Sequence, residues 1–158
     1  MPPGGKAVAA LMLAALTLPA CAGSDDDGVS RQDYAKQVNR VCDDTERELN
    51  ELDIQSAKTS AEVTALIDDV IAKSRAAIDR LKGLQRPGGA AGEAADRFVN
   101  TLEREFEKDA LPALDDLKAA IRSGDRGAAA DAADHLNQLE NAESDRFARR
   151  LGADACAA

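Results

Sequence analysis

Apolar residues recur at helical spacing in four separate stretches of the chain. The first stretch reads Tyr34, Val38, Val41, Thr45, Leu49 and Leu52. It follows Ser30-Arg31-Gln32-Asp33, where Ser30 can accept the first free amide hydrogens. It predicts a helix from about Arg31 to about Leu52. After a polar connection, Thr59-Ser60-Ala61-Glu62 has the form of a capping box. Val63, Leu66, Ile67, Val70, Ile71, Ala77, Ile78, Leu81 and Leu84 then form the most apolar stripe beyond Cys21. Arg86-Pro87-Gly88-Gly89 stops that helix. A third stripe opens near Gly92 or Glu93 and runs Phe98, Leu102, Phe106, Ala110, Leu114, Leu117 and Ile121. Pro112 falls inside it. A proline there lacks its amide hydrogen and crowds the carbonyl of Lys108, so a kink is expected, with the apolar spacing continuing through it. Ser123-Gly124-Asp125 makes the next turn, with Asp125 as the cap. A fourth helix is expected from about Arg126 to Leu151, with an inner face of Ala129, Ala132, Leu136, Leu139, Ala142 or Glu143, Phe147 and Leu151. Gly152 is placed to end it in the left-handed conformation. Four stripes joined by short turns predict an all-α domain, an up-down-up-down four-helix bundle.

The N-terminal segment is of another kind. Lys6 precedes an apolar run, Ala7 to Leu18, which is shorter than the ~20 residues a spanning helix needs and has the length of a signal-peptide core. The run ends at Leu18-Pro19-Ala20-Cys21, which resembles the bacterial lipobox. That resemblance implies cleavage before Cys21 and a diacylglycerol on its thiol. Pro19 departs from the usual residues at its place. Ala22-Gly23-Ser24-Asp25-Asp26-Asp27-Gly28 then reads as a flexible acidic tether. The expected organisation is a signal peptide over 1–20, a lipidated Cys and tether over 21–29, and the helical domain over 30–158. Two alternatives remain open. Ala20-Cys21-Ala22 also fits small-x-small cleavage, which would give a secreted protein without Cys21, and the apolar run could be a retained anchor.

Composition adds two constraints. With 3% aromatic residues, no Trp, and both Met residues (Met1 and Met12) in the leader, the core must be built from Leu, Ile, Val and Ala. Beyond the leader, 19 basic residues face 29 acidic ones, a formal charge of −10. Such a domain is repelled by phosphate backbones, so no nucleic-acid partner is expected, while a basic partner is compatible.

Three cysteines are present. With Cys21 lipidated, Cys42 and Cys156 form an even pair in an oxidising compartment, and a disulfide between them is expected. Two free buried thiols are the alternative. The bundle topology returns the end of the fourth helix to the start of the first, which brings Cys156 within reach of Cys42.

Candidate chemistry is sparse. His135 is the single histidine, and Asp131 lies one helical turn before it. The two could share a metal ion, but nothing in the sequence completes a coordination shell. Carboxylate pairs such as Asp43-Asp44, Asp68-Asp69 and Asp115-Asp116 point in different directions on a helix and read as solvated faces. Glu105 and Glu143 fall near inward stripes; one of them buried would pair with an Arg such as Arg40 or Arg104, or else mark a small polar pocket. There is no Gly-x-Ser-x-Gly elbow and no phosphate loop. Arg146, Arg149 and Arg150 sit where cations favour a helix C-terminus.

Four segments together resemble a loose class of small lipoproteins and secreted proteins from high-GC Gram-positive bacteria, the actinobacteria. They are Leu18-Pro-Ala-Cys21; Tyr34-Ala-Lys-Gln-Val-Asn-Arg-Val-Cys42; Leu81-Lys-Gly-Leu-Gln-Arg-Pro87; and Leu151-Gly-Ala-Asp-Ala-Cys156. The resemblance implies place and shape and transfers no active-site residues. The expectation is a non-enzymatic lipoprotein without a cofactor, anchored by its lipid to the outer face of the cytoplasmic membrane. It would bind or scaffold a partner in the cell envelope; the alternative is a carrier of a small ligand or metal ion.

Overall fold

The computed structural model describes residues 28–53, 56–139 and 141–157. Cys21, the leader and the rest of the tether lie outside them. The described chain is helical: α1 Arg31–Asn50, α2 Ser60–Gly83, α3 Gly89–Glu105, a π-helical segment Phe106–Ala110, α4 Leu111–Ser123, α5 Arg126–Gln138, α6 Ala142–Leu151 and a terminal 3₁₀ turn Asp154–Cys156. Among the described residues there is no strand, only an isolated bridge between Val29 and Pro87. No described helix is long and apolar enough to cross a membrane.

The helix starts follow the capping chemistry read from the sequence. The Ser30 hydroxyl accepts from the Asp33 amide at 3.1 Å. Thr59 and Glu62 form the full capping box: the Glu62 amide donates to Thr59 Oγ1 at 3.2 Å and the Thr59 amide to Glu62 Oε2 at 2.9 Å. Asp125 caps α5 by accepting from Gly127 and Ala128, each at 3.0 Å.

Two expectations are corrected. The third stripe starts earlier, at Gly89, and runs through Pro112 without a break. The π segment absorbs the proline: the Leu111 amide reaches back to the Phe106 carbonyl, so the widened turn lies just ahead of the ring. The expected single helix from Arg126 to Leu151 is two helices, α5 and α6, parted at 139–141. The buried face of α6 is Ser144, Asp145, Ala148 and Leu151, with Phe147 partly buried against the same cluster as expected, while α5 has no buried residue.

Packing then follows from which stripes meet. α1 lies on α2; α2 lies on α3 and α4; α3 lies on α6; α4 lies on α5; the terminal turn lies on α1 and α6. Two apolar clusters result. One joins Tyr34 and Val38 of α1, Leu81 of α2, Ala95, Phe98 and Val99 of α3, and Ala148, Leu151 and Ala153 of the C-terminal end. The other joins Ile67, Ile71 and Ile78 of α2 with Phe106, backed by Leu114, Leu117 and Ile121 of α4. Ion pairs cross between helices at the surface: Arg80 with Glu48 at 3.2 Å, Arg75 with Glu107 at 3.3 Å, and Lys82 with Glu103.

Candidate functional site

The C-terminal tail is fixed to α1 by three devices. α6 ends at Gly152, whose φ of 82° is the left-handed conformation that favours glycine, and the Ala153 amide turns back to the Ala148 carbonyl at 2.9 Å. Asn39 then holds the tail from both sides. Its Nδ2 donates to the Gly152 carbonyl at 3.2 Å, and its Oδ1 accepts from the Ala155 amide at 2.9 Å. One turn further along α1, Cys42 and Cys156 form the expected disulfide, with a Cα–Cα distance of 5.4 Å across a sequence separation of 114.

Beside this junction runs an apolar groove of about 600 Å³. Its floor is the buried Ile78, Leu81 and Phe106 together with Leu102. Cys42, Thr45 and Leu49 of α1 form one wall, and Ala155, Cys156 and Ala157 form an end. The groove exists because the apolar stripe of α1 is only half covered. Tyr34 and Val38 are fully buried, whereas Thr45 and Leu49, further along the same face, are only partly so. Asn141, just before α6, also lines it. Among the described residues Glu46 is the one charged residue in the lining, and it forms no ion pair with any of them.

The other candidates fall elsewhere. Asp131 and His135 both lie exposed in a shallow cleft of about 640 Å³ between α4 and α5, beside Asp116 and Asp125. Among the described residues no group of three or more His, Cys, Asp or Glu side chains is placed to hold a metal ion. Glu143 pairs with Arg104, joining α6 to α3 as anticipated. Glu105 does not pair with Arg40 or Arg104. Its Oε2 is buried without a partner among the described residues, next to a small cavity of about 220 Å³ that it shares with Asp109 and Asn141.

Sequence reasoning missed Arg86. Its guanidinium donates to the carbonyls of Leu81 and Leu84 at 2.9 and 2.8 Å, closing the end of α2, and pairs with Asp96 at 2.9 Å. It also lies over the ring of Tyr34, whose ionisation burial pushes above the ordinary phenol value. The signal was available, since an Arg two residues beyond the last apolar position of a helix can reach its free carbonyls. No protein-family model, curated protein or solved structure matches the chain.

Proposed function

We propose that the chain is an extracytoplasmic lipoprotein, tethered through Cys21 to the outer face of the cytoplasmic membrane, whose helical domain binds or scaffolds a partner in the envelope. The Cys42–Cys156 disulfide carries this reading. Thiols paired across most of the domain belong to an oxidising space, and a chain in that space needs an export signal. Ala7 to Leu18 has the length of one, and Cys21 stands where a lipobox resemblance puts the modified residue. The domain is read as an up-down-up-down four-helix bundle whose arms are α1, α2, the α3–α4 rod and the α5–α6 pair. The packing of α1 on α2, α2 on α3 and α4, and the rod on α5 and α6 supports that topology. No catalytic role is assigned to any side chain.

The test is a Cys21→Ser variant expressed in a bacterium that processes lipoproteins. It should lose incorporated lipid label and leave the membrane fraction. If it remains membrane-bound and uncut, the apolar run is a retained anchor and the lipoprotein reading fails. An unmodified N-terminus downstream of Cys21 in native material would instead indicate ordinary secretion.

A carrier of a small apolar ligand is a second reading, favoured by the groove over α2 and α3. Its metal-ion form has only Asp131 and His135 to draw on, and two ligands do not complete a site.

A further inference from the structure

We propose that the groove receives an amphipathic helix of a partner protein, with apolar side chains at i, i+3, i+4 and i+7 flanked by Lys or Arg. The proposal deepens the binding-module reading above and rests on it.

Length is the first support. Along α1 the groove extends from Cys42 to Asn50, about 12 Å at the helical rise. Apolar anchors from i to i+7 on an incoming helix span about 10.5 Å by the same rise, so they match the groove from end to end. The volume of about 600 Å³ is open along one side and floored by Ile78, Leu102 and Phe106, which suits a row of inserted side chains.

Charge is the second support. Among the described residues no Lys or Arg lines the groove, and Glu46 stands in its wall. Asp44 is paired with Arg47 and Glu48 with Arg80. Glu46 forms no ion pair among the described residues, so the wall presents an unpaired carboxylate beside the apolar floor. A cationic helix meets both features. A helix with acidic flanks, or an anionic lipid head, meets only the apolar one and is repelled by the other.

The experiment uses the full chain with its disulfide intact and a labelled synthetic peptide of Leu and Lys, with Leu at i, i+3, i+4 and i+7, read by fluorescence anisotropy. A scrambled peptide of the same composition and a Leu/Glu peptide serve as controls. The patterned Leu/Lys peptide should bind at least about ten-fold more tightly than either control. Ala77→Phe, which fills the groove, should weaken binding by about ten-fold, and Glu46→Lys should weaken it and flatten its salt dependence. Glu46 is exposed, so that variant keeps the fold even if Ala77→Phe disturbs it. Absence of binding, equal binding of the scrambled peptide, or indifference to both substitutions would overturn the proposal. So would binding of neutral phospholipid vesicles that Ala77→Phe abolishes while the peptide fails to bind. A positive Cys21→Ser result together with a failed peptide experiment removes the groove assignment alone and leaves the anchored lipoprotein standing.

Discussion

Arg86 lies over the ring of Tyr34, with 5.6 Å from the guanidinium carbon to the ring centroid. The same guanidinium closes the carbonyls of Leu81 and Leu84 and pairs with Asp96. One side chain therefore joins the start of α1, the end of α2 and the first turns of α3. Lysine has a point charge in place of a planar fork and cannot make all of these contacts at once. Arg86→Lys should destabilise the domain by about 1–3 kcal/mol, since partly buried carbonyls lose their donor. Chemical denaturation with an unchanged slope against denaturant checks this.

Tyr34 behaves in the opposite way. Its ring is fully buried, and its hydroxyl has no hydrogen-bond partner among the described residues. Burying an unpaired hydroxyl carries a desolvation cost that phenylalanine avoids, and phenylalanine keeps the ring under Arg86. Tyr34→Phe should leave stability unchanged or raise it by up to about 1 kcal/mol. A loss of more than that by thermal or chemical unfolding would mean the hydroxyl is satisfied in solution.

The disulfide joins positions separated by 114 residues, so its effect falls mainly on the unfolded chain. The double variant Cys42→Ser/Cys156→Ser should lose about 2–5 kcal/mol of stability. Asn39 still holds Gly152 and Ala155 in that variant, and Ala153 is still buried, so its circular dichroism should stay helical. An unfolded double variant would show that the covalent link is required for the fold itself.

These relationships were unequally legible in the sequence. Ser30, Thr59, Glu62 and Asp125 announced the helix starts because capping is local chemistry, decided by residues three or four apart. The pairing of Cys42 with Cys156 was legible by arithmetic and topology together. The break at 139–141 was not. No Gly or Pro marks it, and the apolar spacing through Leu136, Leu139 and Phe147 reads as one helix. The apolar spacing of α3 and α4 likewise concealed a π turn, because one extra residue within Phe106–Ala110, ahead of Pro112, changes the local winding and leaves the stripe continuous. The groove is a consequence of which helix fails to cover Thr45 and Leu49, which depends on tertiary placement and leaves no local signal.

Glu62 gives a pH dependence with a definite sign. Its carboxylate accepts from the amides of Lys58 and Thr59, and these bonds hold its pKa below the ordinary glutamate value. A lowered folded pKa means the contribution is present above the unfolded value and is lost as pH falls through the folded one. Glu62→Gln should therefore be less stable than the parent at neutral pH, and the two unfolding curves should converge on acidification below pH ~4. Convergence toward alkaline pH instead would contradict the capping role.

Two glycine-to-alanine changes should have opposite effects. Alanine normally favours a helix interior over glycine by about 0.5–1 kcal/mol, and Gly83, at the end of α2, has nothing within 4 Å of an added methyl group. Gly83→Ala should stabilise. Gly92 lies in the first turn of α3, where a methyl group would stand 2.4 Å from the Pro87 carbonyl oxygen. That oxygen is backbone, and Pro87 is itself bridged to Val29, so relief requires the α2–α3 turn and the segment before α1 to move together. Gly92→Ala should cost about 1–3 kcal/mol despite its better helix propensity. Equal, stabilising shifts for both variants in the same thermal scan would show that α3 is free to slide away from the turn, and that Pro87 does not fix its start.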